Sequence, residues 1–428
     1  MKSSSQPFEE HRIGRRQLLQ TVALGGAGLA VPILMRTSPA VGAPTGTPIK
    51  IGTIHDLTGA FAVYNEATRD IVEISVEEIN AGGGVLGRPV ELLIRDSQSS
   101  IDKYAEFANE LVLGEKVAML EGGGSSASRE VIRPVINLND GPVYFYPAQY
   151  EGGVCDKFVF CSGEVPTQQI GPALAPYAMA HFGKNFYTAA ADYNFGHISS
   201  MWVKKFVEEQ GGKVIATEFF PLDQTDFGAA ISRIQAARPE VIFSLLVGNN
   251  HLGFHRQFAA AGLVDKIPIV STVFGQAGEL TSLSPQEYKG LVVAFDYYPQ
   301  LDNPANKAFL DRVRVRHGGK LPFAIGEFPY NIWLNIQLWA AAANMAGSIE
   351  KGKIIETLES GLQLDAPEGR VRVDGKTHHL VHSIHIAQAT EDRTFKIIKT
   401  IPDVQPSYEQ SVCDLISKPR THKQFTPG

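Results

Sequence analysis

Two doubly wound α/β lobes are the fold this sequence predicts, and three observations predict it. At 428 residues the chain is too long for one ordinary core. Short apolar runs alternate with helix-period segments, the pattern of parallel sheets covered on both faces. That alternation restarts after Glu164, so two such units follow one another.

The first unit opens with the strand-like run Ile49–Ile54. Val72, Val76 and Ile79 mark one helix face, and Gly82-Gly83-Gly84 stops that helix. Val90–Ile94 predicts a buried strand, Ile101–Val112 a helix, and Val117–Leu120 a strand running into Gly122–Ser126. A helix to Asn137 and a strand at Val143–Tyr146 close the unit. In the second unit, helices are expected at Ile170–Phe182, Ile198–Gln210, Phe227–Ala237 and Leu252–Ala261. Strands are expected between them at Phe186–Ala191, Val214–Phe220 and Val241–Leu246. Asn306–His317 and Asn331–Met345 then read as long helices, and Val371–Val373 with Val381–Ile386 as a hairpin. The tail beyond Pro402 shows little periodicity.

Composition bounds the function. Hydrophobic residues make up 44% and charged residues 20%, as in globular proteins. The formal charge is −6; the first 43 residues hold five Lys and Arg against two Glu, which leaves −9 on the rest. No basic cluster offsets that acidity, which argues against nucleic acid as a partner. Arg15-Arg16, an apolar run from Leu18 to Leu34 and the small residues up to Ala43 have the three parts of a signal peptide of twin-arginine-like type. Cleavage after Ala43 and export to the periplasm or another extracytoplasmic space are expected. Three cysteines, Cys155, Cys161 and Cys413, allow one bridge or three inert thiols.

In open α/β sheets, ligands bind outside the carboxyl ends of the strands. The segments there are Asp56–Thr58, Gly122–Ser126, Tyr146–Tyr150, Asp192–Phe195, Gly248–His251 and Thr272–Glu279. They are rich in neutral hydrogen-bonding side chains, which suits a neutral polar ligand. The candidate ligand-binding residues are Ser125, Ser126, Tyr146, Gln149, Tyr150, Tyr193, Phe195, Asn249 and Gln276, with Tyr64 completing the set.

The stretch Ile51–Gly59, followed by Glu78–Pro89, resembles the opening of type I periplasmic solute-binding proteins of ABC importers. Phe145–Gly152, Asp192-Tyr193, Pro221–Phe227, Asp365–Gly369 and His378-His379 resemble the branch that binds urea and short-chain amides. The resemblance implies two Rossmann-like lobes joined by three crossing segments, placed near Cys161–Glu164, Asp296–Gln300 and Leu362–Pro367. The first lobe is then 48–162 plus 298–362, the second 163–297 plus 363–405, and 406–428 a C-terminal tail. It also implies permease and ATPase subunits as partners and a ligand in the interlobe cleft. Ser126 matches a serine that bonds the ligand from the first lobe, and Tyr193 an aromatic from the second. Phe195 stands where amide binders often have tyrosine. Gln276 occupies the region where amino-acid binders often hold a carboxylate against the ligand ammonium, so it favours a neutral amide. The alternatives are an amino-acid binder of the same fold and, from another class, an exported amide hydrolase.

The glycine loop at 122–126 lacks the lysine of a phosphate loop, no nucleophile elbow occurs, and no nucleophile–base pair can be named. An enzyme is therefore not expected, nor a cofactor. His251 and His255, spaced i, i+4, read as an exposed helix face, and the four histidines at 378–385 do not form a metal site, because His382 and His385 point to opposite faces of a strand.

Overall fold

Ile49–His55 buries all but one of its residues, as a central parallel strand does. It is β1 of a computed structural model that describes residues 42–321 and 325–427. The expected export segment, 1–43, lies outside the described residues apart from Gly42 and Ala43. After α1 (Thr68–Ala81) the chain forms β2 (Val90–Asp96), α2 (Ile101–Asn109), β3 (Met119–Gly122), α3 (Ser126–Leu138) and β4 (Val143–Tyr146). A short β5 (Val154–Asp156) precedes β6 (Val159–Cys161). The strands β2, β1, β3, β4 and β6 lie side by side in that order, all parallel, forming the first sheet.

The second sheet follows α4 (Pro166–Gln169) and α5 (Ala175–His181). It alternates β7 (Asn185–Ala191), α6 (Asn194–Glu209), β8 (Lys213–Phe220), α7 (Gly228–Ala237), β9 (Val241–Leu245) and α8 (Gly248–Ala260). Next come β10 (Ile269–Ser271), α9 (Glu279–Ser282) and β11 (Val292–Phe295), giving the parallel order β8, β7, β9, β10, β11. The chain then returns to the first sheet with α10 (Pro304–Arg316), α11 (Glu327–Ala346), which packs along α1, and α12 (Lys351–Glu359).

The last strands join the halves. β12 (Gln363–Ala366) and β13 (Gly369–Asp374) form an antiparallel pair. β13 pairs with the start of β14 (His379–Ala389), and His379 also pairs with Cys161 of β6. From His382 onward β14 pairs instead with β15 (Phe395–Val404), and from His385 with β11. One strand of eleven residues, roughly 36 Å at 3.3 Å per residue, thus serves both sheets. The third change of sheet falls at Val381–His382, not at the expected Leu362–Pro367, so 363–381 belong with the first sheet. The C-terminal tail, 406–428, has elements of its own among the described residues. It carries α13 (Ser407–Val412) and β16 (His422–Gln424), which pairs antiparallel with β5, and a Cys155–Cys413 disulfide holds it there. Cys161 is left as a buried free thiol.

His251 and His255 correct another expectation: both are fully buried. Their rings stack at 5.0 Å, and their Nδ1 atoms donate to the carbonyls of Leu246 and Glu287. Burial pushes His255 down to about 4 and His251 well below its usual value, so both are neutral in the fold. Their folded values lie below the unfolded value of about 6.5, so their contribution is whole above that pH and is lost as pH falls toward 4. His255→Phe should therefore flatten the acid limb of stability by about 1.4 kcal/mol per pH unit between pH 6.5 and 4, read by urea unfolding at stepped pH. An unchanged slope would refute the neutral, buried assignment.

Candidate functional site

The turn after β3 delivers the first half of the site. Gly122 has φ +131°, and a Cβ there would stand 2.2 Å from the Ile54 carbonyl oxygen, so glycine alone lets β3 turn so close to β1. The chain then enters α3 with Ser125 as N-cap. Its hydroxyl accepts from the Ser128 N–H at 3.1 Å, and the Ser128 hydroxyl accepts from the Ser125 N–H at 3.0 Å. The N–H groups of Ser126 and Ala127, in the first turn, have no partner among the described residues.

A small cavity lies at this helix end, between the carboxyl ends of the two sheets. Ser125, Ser126, Tyr146 and Gln149 line it from the first half, with Tyr64 and Phe61 from the loop after β1. Tyr193, Phe195 and Gln276 line it from the second half, with Val247 and Val273. Eight of the ten residues singled out from the sequence thus surround one space. Whether they bind a ligand there is taken up below.

Two do not belong to it. Asn249 is solvent-exposed on α8, whereas its neighbour Asn250 faces inward, accepting from the Val247 N–H at 3.2 Å and donating to the Pro221 carbonyl at 3.1 Å. Tyr150 lies behind the wall, edge-on to Tyr146, with its hydroxyl 2.5 Å from Nε2 of His379 and accepting from the Val154 N–H. For Asn249 the difference is one of phase, since one residue along a helix turns a side chain by about 100°.

The lining carries no ionised side chain. The nearest acids are spent elsewhere. Asp56, next to Gly124, accepts from Ser97 and from the Tyr104 hydroxyl, each at 2.7 Å. Glu279 accepts from the N–H groups of Gly275 and Ala277, and burial pushes it up to about 7. Glu151 takes the Ser126 hydroxyl and a 2.8 Å ion pair from Arg129, both side chains being fully buried. The Arg129 guanidinium also lies over the rings of Tyr146 and Tyr150, 5.0 and 4.5 Å from their centroids. Neither Arg129, Glu151 nor the apolar Phe61, Val247 and Val273 was singled out from the sequence. Val247 and Val273 each lie two residues beyond a strand, β9 and β10, where the strand-end rule points.

By contrast, the side-chain amides of Gln149 and Gln276 have no hydrogen-bond partner among the described residues. The halves meet around them: Tyr64 Oη accepts from the Gly248 N–H at 2.6 Å, and the Val63 carbonyl from the Gly278 N–H at 3.2 Å. The arrangement is a small enclosure with neutral donors and acceptors left open. It can hold a guest, and it contains no group placed to attack one.

The family model of the periplasmic binding protein domain matches residues 49–410. An amino acid binding protein of Pseudomonas aeruginosa is 25% identical over 326 residues, covering 73% of this chain and 82% of that one. The leucine-, isoleucine-, valine-, threonine- and alanine-binding protein of the same organism is 24% identical over 335 residues, 77% of this chain and 86% of that one. Among solved structures, an ABC-transporter solute-binding protein of R. palustris in complex with 4-hydroxybenzoate superposes with TM-score 0.74 at 24% identity, over 84% of this chain and 98% of that one. A leucine-binding protein of Thermotoga maritima gives TM-score 0.72 at 23% identity, over 83% and 99%.

Proposed function

We infer, from the premise that the chain belongs to the periplasmic binding protein domain family, that its cavity captures urea or a short-chain aliphatic amide. Members of this family bind solutes for ABC transporters outside the cytoplasm and catalyse no reaction, and this chain is such a substrate-binding protein. The ligand is the inference. The observation that carries it is the pair of unpartnered amides, Gln149 and Gln276, in a lining without a charge. An amino-acid zwitterion would bury its ammonium there without a counter-charge, at a cost of several kcal/mol. A neutral amide can exchange hydrogen bonds with both glutamines and with the free N–H groups of α3. On this reading the two halves close about their three crossings and dock on a permease with its ATPases, after export by the twin-arginine-like segment.

A second reading has its own support. The reported relatives are named for amino acids and for an aromatic acid, not for urea, and the free N–H groups at the start of α3 also suit a carboxylate. Under it the aromatic rings of Tyr146, Tyr193 and Phe195 would flank an apolar body.

Titration calorimetry with urea, acetamide, leucine and 4-hydroxybenzoate decides between them. Urea and acetamide have four heavy atoms, so a ceiling of about 1.5 kcal/mol per atom gives roughly 6 kcal/mol, a Kd in the tens of micromolar. Gln276→Glu should weaken amide binding by about tenfold or more, since it buries a charge beside a neutral guest. Micromolar binding of leucine or 4-hydroxybenzoate with no heat from either amide would refute the amide reading in favour of the second.

A further inference from the structure

The Ser126 hydroxyl has one proton, and its partner lies behind the cavity wall. Ser126 Oγ donates to Glu151 Oε2, and an ionised carboxylate only accepts. The other oxygen of Glu151, Oε1, accepts from Arg129 Nη2 at 2.8 Å and from the Gln424 amide at 2.6 Å. Every side-chain bond to this carboxylate is therefore one it accepts. The Arg129 and Glu151 side chains are fully buried, so solvent does not compete for these bonds.

What Ser126 Oγ keeps for the cavity is its lone pairs. Beside it, the N–H groups of Ser126 and Ala127 are donors without a partner among the described residues. The start of α3 thus offers a donor and an acceptor side by side, in a lining without an ionised side chain. A primary amide or urea has the matching edge: its carbonyl oxygen accepts, and the N–H syn to that oxygen donates. A carboxylate has two acceptors on the same edge, and one of them meets the Ser126 lone pairs. A secondary amide prefers its trans form, which puts carbon in place of hydrogen on that edge.

We propose that Ser126, its proton fixed on Glu151, determines the specificity of the cavity by accepting a hydrogen bond from the syn N–H of a primary amide or urea. The N–H groups at the start of α3 bond the carbonyl oxygen of the same guest. The proposal rests on the amide reading above and adds which edge of the guest is read, and by which atoms. Glu151 and Arg129, which do not line the cavity, act through Ser126 as positioning residues.

Calorimetry on the whole protein with acetamide and its neutral isomer N-methylformamide tests this. Acetamide should bind about tenfold tighter or more, because the methyl group of N-methylformamide takes the syn position. Ser126→Ala should weaken acetamide by about tenfold and leave N-methylformamide within about twofold, so the preference collapses. A general loosening of the cavity would instead weaken both guests alike. Equal binding of the two isomers by the wild-type protein, or a preference that Ser126→Ala leaves intact, would overturn the proposal while the amide reading stands. If the variant does not fold, the wild-type ratio decides alone. No heat from acetamide or urea refutes the amide reading itself, and this proposal with it.

Discussion

Replacing Arg129 by Met is expected to destabilise the protein by about 3–5 kcal/mol and to weaken ligand binding together with it. The guanidinium is fully buried, and its partner Glu151 is too. Removing one of two buried charges leaves the other without compensation, which is why a truncation costs more than the pair itself contributes. Glu151 would then hold a negative charge against the Ser126 hydroxyl, the Gln424 amide at 2.6 Å and no cation. The rings of Tyr146 and Tyr150 would lose the plane they rest on. Because Ser126 and Tyr146 line the cavity, the disturbance reaches the ligand without any contact between Arg129 and the guest. A double variant, Arg129→Met with Glu151→Gln, removes both charges while keeping an acceptor for Ser126, and should recover at least about half of the loss. Chemical unfolding measures the stability and calorimetry the affinity. If the single variant loses less than about 1 kcal/mol, the pair is not the support described here.

Most of the doubly wound part of this fold was legible because its strands are buried on both faces and read as continuous apolar runs: Ile49–His55, Phe186–Ala191 and Val241–Leu245 are the clearest. What escaped depended on distant partners. β5, β6 and β16 have three residues each, too few for a period, and β5 with β16 exists because residues 154–156 meet 422–424. The third crossing was misplaced because β14 changes sheets in mid-strand, with no glycine or proline to mark the place. A pairing change of that kind is a property of the neighbours and leaves no trace in local pattern.

The cavity was legible to the loop and not to the side chain. The strand-end rule found most of the contributing segments but missed Phe61 and Val247; within the Gly248–His251 segment it could not tell Asn249 from Asn250, and within Tyr146–Tyr150 it could not tell which tyrosine faces the space. The buried histidines of α8 illustrate the same limit. An i, i+4 spacing defines a face, but whether that face meets solvent or Phe274 is decided by a loop far along the chain.

Opening the Cys155–Cys413 bridge should cost about 2–5 kcal/mol, and the loss should spread beyond the tail. The two cysteines are 258 residues apart, so the bridge closes a long loop and removes much freedom from the unfolded state. In the folded state the tail it secures is not passive. Glu409 of α13 accepts from the Gly153 N–H at 2.8 Å, and Gln424 of β16 donates to Glu151, the residue that holds both Arg129 and Ser126. A chain of contacts thus runs from the disulfide through β16 to the wall of the cavity. Cys413→Ser should lower the unfolding free energy by that amount and weaken ligand binding modestly, by about two- to fivefold, because the Glu151–Arg129 pair loses one brace. A reducing agent acting on the wild-type protein should reproduce both effects. Cys161 should stay inert throughout, since burial pushes its thiol up to about 12, whereas Cys155 should become alkylatable in the Cys413→Ser variant. A variant as stable as the wild type would mean that β16 pairs with β5 equally well without its covalent tie, and that the tail's hold on Glu151 comes from hydrogen bonds alone.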